Sequence, residues 1–471
     1  MIDVQPQRES LRAGVAQVDI TPAPGVPLAG AVGALRLTEE ILDPLYAKAI
    51  VFEAGGRKLC IVALDLTIIT KEYTVAIRRA AVAKLGFDTD AVMVHATQTH
   101  SAPCVGHIML DKDFEGVPDE LEWINGSDAA YNKFAVERSI AAIEQAHSNL
   151  QPARIGVGSG IEGRMAFNRR AVMRDGKVFM PHSPWANNPL GPTQLLYMEG
   201  PIDPEVGVLG VRSGAGDLMA VLVNYTCHPV HVFPKPIVSA DWPGALADEL
   251  RQTYGEGCTP IVLNGACGNI NPWPPFEPDY EYNGDHRRMG AVLADMARKV
   301  TETLEFAEKA VLDWRVKHVG LPFREVDAEQ VEADRALLAE YSSPPWTDET
   351  RTSIRMDWML AASRMSAHLQ RQREGAFDYE IQVFRIGDTA FVSLPGEPFV
   401  EGQLRIKAAS PVRHTYIVHC TTQYVGYIPT REAMPAGGHE ANFSHWSKLA
   451  PEALDLVVEG ALELLRESFE D

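Results

Sequence analysis

The sequence predicts an α/β protein: a mixed β-sheet layered with helices. Short strand-like apolar runs alternate with amphipathic helical stretches along most of the 471 residues. That succession favours a layered α/β domain over a sandwich or a helical bundle. The 46% hydrophobic content is ample, at this length, for a large buried core.

The strand candidates are KAIVFEA (48–54), KLCIVALDL (58–66), AVMVHAT (91–97), LMAVLVNY (218–225), TPIVLNG (259–265), EIQVFRIG (380–387), TAFVSLPG (389–396) and TYIVHC (415–420). Helical periodicity marks 74–85, 130–148, 244–254, 285–305 and 451–468. With no internal repeat and no low-complexity linker, residues 1–471 read as one domain carrying two insertions. Residues 171–203, rich in Pro, Asn and Gly, predict a long loop over a site, and 326–375 predict a helical hairpin broken at SSPPW (342–346). Both are expected to wall the pocket.

A net charge of −20, from 43 basic and 63 acidic residues, argues against nucleic acid or an anionic membrane as partner. No apolar run of signal-peptide or membrane-span length occurs, so a cytoplasmic location is expected. The six cysteines form no CxxC pair and predict buried free thiols. Cys104, Cys227 and Cys267 lie within polar motifs, which leaves a thiol nucleophile as a minor alternative.

Four polar clusters follow strand-like runs, where α/β folds place ligand sites. HATQTHSAP holds His95, Gln98 and His100; NYTCHPVH holds His228 and His231, with Asp241 beyond in SADWPG. LNGACGNINP holds Asn264, Asn269 and Asn271, and SLPGEPF holds Glu397. Singly, each fits a structural histidine or a solvated turn. Together, imidazoles from two strand ends plus a carboxylate are the usual donors for a catalytic zinc with an open position.

In order along roughly residues 12–470, AGVAQVDITPAPG, DPLYAKAIVFE, TQTHSAP, NRR, GPIDPEVGVL, TCHPVH, SADWPG, NGACGNINP, LPGEPF and YVGYIPTREAM resemble the catalytic domain of neutral, non-lysosomal ceramidases and their bacterial relatives. The resemblance implies one zinc; a Gln98 carbonyl as ligand would instead favour a harder ion such as manganese, and another divalent ion stays open. It implies His228, Glu397 and Tyr427 as ligands, Arg169 meeting polar groups of the substrate, and His439 at the place of a second active-site tyrosine. Three departures stand out. Gln98 replaces a zinc-binding histidine of THTHSGP, Asn271 replaces a serine, and the family's C-terminal immunoglobulin-like domain is expected to be absent. His100 is the first candidate for the vacated ligand position, ahead of His231 and the Gln98 carbonyl. Gln98 would otherwise sit behind the ligands or touch substrate.

The function expected is hydrolysis of an amide bond in a small polar substrate, not a two-chain lipid, by a metal-activated water. His100, His231, Tyr427, Arg169 and His439 are the catalytic candidates, with His100 as general acid or base. Gln98, Arg169, Asn269, Asn271 and His439 are the candidates for holding substrate. Two other classes stay open: a metal-dependent lyase or glycosidase acting on an acidic sugar, and a non-catalytic binding relative. Oligomeric state is also open, a homo-oligomer included.

Overall fold

In the central strands, successive side chains point to opposite faces and enter different cores. In strand Arg57–Leu64, Cys60 and Val62 pack toward helices Lys71–Leu85 and Ala129–Ser148, while Leu59, Ile61 and Ala63 face the other way. This two-sided burial explains why these strands read as continuous apolar runs. The computed structural model describes residues 8–126, 128–182, 194–277 and 285–469.

Eight strands form one sheet in the order 259–264, 218–225, 205–213, 151–161, 12–19, 46–54, 57–64 and 92–96. Its middle is antiparallel, and each edge is a parallel pair. A second sheet, in the order 312–322, 376–386, 389–394 and 414–419, packs against its inner face through Phe384, Phe391, Tyr416 and Val418. Helices Lys71–Leu85, Ala129–Ser148, Asp241–Tyr254 and His286–Glu302 cover the large sheet, and Ala453–Phe469 covers the small one. The layers therefore run helix, sheet, sheet, helix. The α/β class agrees with the sequence. The sheet-on-sheet centre does not, because strand–helix alternation says nothing about which strands share a sheet.

Four long strands escaped the sequence reading: Arg12–Asp19, Gln151–Ile161, Glu205–Ser213 and Leu312–Pro322. Gln151–Ile161 reads QPARIGVGSGI, and glycine is a poor strand signal. Here its alternate glycines are a packing surface. A Cβ on Gly156, Gly158 or Gly160 would come within 3.0 Å of Leu304 or Met296, so the end of helix His286–Glu302 and the turn after it lie directly on the strand.

Residues 171–203 are not simply a loop. Ala171–Met173, Val178–Phe179 and Leu195–Met198 form a small three-stranded sheet, while 183–193 lie outside the described residues. The expected hairpin forms as helices Ala328–Ala339 and Met356–Glu374.

The two parallel edges of the large sheet converge on strand His414–His419. His95 stitches them there: its Nδ1 lies 2.7 Å from the His419 carbonyl, and its Nε2 accepts from the Asn264 amide at 3.1 Å. Both nitrogens are thus committed, and His95 is a structural residue. The loops leaving these converging strands carry the polar motifs.

Candidate active site

Glu397 and Tyr427 are thirty positions apart in sequence but are paired partners in adjacent short parallel strands, Glu397–Pro398 and Tyr427–Ile428. Tight turns make that register accessible. Gly396 (φ +70) and Gly426 (φ +89) both adopt left-handed backbone, and a Cβ on Gly426 would meet the Trp446 backbone at 2.3 Å. Across the cleft, His228 leaves strand Leu218–Tyr225 and reaches Glu397, its Nε2 3.0 Å from Oε2. The other ring nitrogen, Nδ1, lies 3.0 Å from the Ile270 carbonyl. A carbonyl only accepts, so Nδ1 carries a proton; Nε2 meets the carboxylate through a shared proton, whose displacement would leave two acceptors facing each other. Burial, then the Arg169 charge, lowers the His228 pKa. Burial works against Glu397 as an anion, yet His228, Tyr424 and Arg169 hold its pKa below the ordinary carboxylate value. Tyr424 donates to Glu397 Oε1 at 2.7 Å.

Arg169 is buried beside this pair. Its Nε donates to Glu440 at 2.6 Å, one terminal nitrogen donates to Asn271 Oδ1 at 3.1 Å, and the other to the Gly268 carbonyl at 2.7 Å. Burial opposes its charge, but Tyr427 and Glu440 raise its pKa. Three of five N–H donors are thereby engaged, and two remain toward Tyr427 and the cavity. Its neighbour Arg170, fully buried, shares Glu440 at 2.8 Å and also pairs with Glu199. The Glu440 carboxylate, flanked by two guanidinium groups, is held down to about 2 despite its burial.

Gln98, His100, Arg169, Asn271, Glu397, Tyr424, Tyr427 and His439 line one cavity of about 250 Å³. Apart from Thr67, its remaining wall is apolar or glycine, including Val32, Ile108, Met109, Phe233, Trp273 and Trp446. His439 stacks on Trp446 and meets Tyr427 edge-on at 5.4 Å. His100 stands edge-on to His228 at 5.6 Å between ring centroids and to Phe233 at 5.5 Å. Burial, followed by the His228 charge, lowers its pKa to about 3, so it is a neutral imidazole. Gly30 permits this placement, since a Cβ there would come within 2.5 Å of His100 Nδ1.

The chain is 23% identical to the neutral ceramidase of Pseudomonas aeruginosa, over 94% of this chain and 71% of that one. Its fold matches the crystal structure of neutral ceramidase from Pseudomonas aeruginosa with a TM-score of 0.70 at 19% identity, covering 98% of this chain and 74% of the other. The chain has a ceramidase-like fold. A ceramidase complexed with C2 gives a TM-score of 0.69 at 20% identity, over 97% of this chain and 75% of that one. No family model matches the chain.

Within this ceramidase-like frame, His228 lies behind Glu397 rather than on the described cavity lining, and two further candidates are turned elsewhere. His231 points to Asp241, Nδ1 to Oδ1 at 3.1 Å, and Asp241 also accepts from the Val232 amide at 3.0 Å. Asn269 is tied to Glu401 at 2.9 Å and to the Val400 amide at 3.0 Å, bracing the loop beneath Glu397. The 326–375 hairpin contributes nothing to the described lining, whereas Met180 from the 171–203 segment does. All six cysteines are buried and free. Burial pushes the Cys227 and Cys267 thiols well above their usual pKa, which suits packing rather than nucleophilic attack.

Sequence reasoning passed over Tyr424, Glu440 and Arg36. Tyr424 carried a signal, since it opens the same YVGY motif that ends in Tyr427. Arg36 carried none. It is buried, bonds the His100 carbonyl at 2.9 Å and the Ala29 carbonyl, and lies 4.8 Å from the Phe233 ring.

Among the described residues no group of three His, Cys, Asp or Glu side chains is gathered to hold a metal ion. The donor chemistry that does fit a cation is the His228–Glu397 pair, 3.0 Å apart, in which an ion would take the place of the shared proton, with the phenol of Tyr427 in the paired strand. Gln98 is turned the other way. Its Oε1 accepts from the Cys267 thiol at 3.4 Å, and its amide nitrogen has no hydrogen-bond partner among the described residues. Where the resemblance expects an imidazole lone pair, this cavity receives an N–H donor.

Proposed function

We propose that this protein is a metal-dependent hydrolase that cleaves the amide bond of a small substrate bearing a compact apolar group. The observation carrying the proposal is the Nε2 of His228 meeting, at 3.0 Å, the Glu397 carboxylate that lines a largely apolar cavity. His228, Glu397 and Tyr427 are the side chains that would hold the ion. A divalent ion there would polarise a carbonyl and lower the pKa of a water from about 15.7 toward about 7.

The chain's own residues supply the rest. The Ile270 carbonyl keeps a proton on Nδ1 of His228 and fixes the ring. Gln98 donates its amide hydrogens toward a carbonyl oxygen or the oxyanion that develops from it. Arg169 offers the donor not turned to Tyr427 to a hydroxyl or carboxylate, while Trp273, Trp446 and Phe233 exclude water. A cavity of about 250 Å³ is at the small end for ligand sites, which span roughly 300–1,000 Å³. The substrate expected from the sequence was simply polar; the walls now favour one with an apolar end.

The test is a panel of short N-acyl amides assayed beside metal analysis of the purified protein. Hydrolysis with one divalent ion per chain, both lost in His228→Ala, is the expected result. Full activity in verified metal-free protein would overturn the metal role. Release of an unsaturated, ultraviolet-absorbing product would replace hydrolysis by elimination.

A further inference from the structure

A second cavity, of about 450 Å³, lies on the far side of Tyr424, which lines both. Its walls come from the start of helix Lys71–Leu85, the 107–112 loop, the end of helix Met356–Glu374, and the segment around His445 and Lys448. The floor holds a cation that no described carboxylate contacts directly. Lys448 is 2% exposed; its ammonium lies 5.6 Å from the Phe377 ring and forms no ion pair or hydrogen bond among the described residues.

The nearby carboxylates are engaged elsewhere. Asp111 receives both terminal nitrogens of Arg373 at 2.8 Å, Asp378 pairs with Lys71 at 2.7 Å, and Glu374 pairs with Arg373 at 2.8 Å. Glu72 is exposed at the rim. His445, 8% exposed, leaves Nδ1 unpartnered, as does His107. Helix Lys71–Leu85 begins at the same cavity with no side-chain cap. The Tyr73 and Thr74 amides turn back to the Thr70 carbonyl, which leaves the Lys71 and Glu72 amides and the positive end of the dipole at the helix start. Burial lowers the Lys448 pKa to about 7, a penalty that a bound anion would relieve.

We propose that this cavity is a binding site for a small oxyanion, phosphate or carboxylate, held between Lys448 and the N-terminus of helix Lys71–Leu85. The geometry is that of an anion site at a helix start, completed by a buried ammonium and two imidazoles. The site is separate from the His228–Glu397 cavity and does not depend on the reaction proposed there.

Calorimetric titration of the full chain with inorganic phosphate, and separately with acetate and succinate, tests it at fixed ionic strength in chloride. Saturable binding of one of these ions to a protein of net charge −20 is the expected result; the phosphate and carboxylate arms tell which oxyanion is preferred. Lys448→Met should weaken that binding at least tenfold. It should also stay folded, because an apolar side chain replaces an unpaired buried charge. His445→Gln, a second variant, should weaken binding several-fold. Lys112→Ala, at the exposed rim, should stay within twofold of wild type. The proposal is overturned if none of the ions saturates the site, or if Lys112→Ala and Lys448→Met weaken binding equally.

Discussion

Gln98 decides how this cavity departs from a histidine-ligated zinc site, and its hydrogen bond from Cys267 makes the outcome measurable. Gln98→Ala should keep the metal and lose about 10²–10³ in kcat, the usual cost of deleting one oxyanion donor. Metal loss in Gln98→Ala would make the amide a ligand after all. Glu440 is the residue on which the buried charges depend, since Arg169 and Arg170 both pair with it. Glu440→Ala leaves two buried guanidinium groups short of a counter-charge and should cost about 3–5 kcal/mol in urea unfolding. Lys448 gives a pH signature. Its folded pKa of about 7 lies below the ordinary lysine value of 10.5, so across that interval the unfolded chain binds more protons. Wild-type stability should therefore rise with pH from about 7 to 10 relative to Lys448→Met, by up to a few kcal/mol. The groups around it, Asp111, Glu374, Arg373, His107 and His445, are the same in both proteins. A flat difference in unfolding free energy over that range would contradict the assignment.

Elements meet here through missing side chains as much as through apolar ones. Strand Arg12–Asp19 runs so close to the end of helix Ala129–Ser148 that a Cβ on Gly14 would lie 2.1 Å from the Ala146 carbonyl oxygen. Backbone cannot rotate away as a side chain can. Gly14→Ala should thus destabilise by about 1–3 kcal/mol or more, read from the urea midpoint at unchanged slope. The Gly156, Gly158 and Gly160 track does the same for helix His286–Glu302. These glycines hid their strands from a sequence reading that looks for β-branched and aromatic residues.

At the scale of the molecule, a net charge of −20 surrounds a small, partly apolar cavity. No described helix is long and apolar enough to cross a membrane. A substrate drawn from an anionic bilayer would meet repulsion at the surface and too little room inside. Short-chain N-acyl amides should therefore be cleaved in preference to long-chain ceramide presented in detergent. Comparable kcat/KM for both would show that the cavity opens much further than its walls indicate.

The strand runs, most helices and the polar motifs were legible in the sequence, because alternation, helical periodicity and turn residues are local. So was the clustering of His100, His228, Glu397, Tyr427, Arg169 and His439, through ordered motifs that resemble a known family. What only the fold decided is which nitrogen of His228 is committed to the Ile270 carbonyl, that His231 turns to Asp241, and that Asn269 braces a loop. Glu440 between two arginines and the lone cation at Lys448 belong with these. Each depends on a partner tens to hundreds of residues away or on a packed backbone. A hydrogen bond across that separation leaves no period or spacing in the chain that forms it.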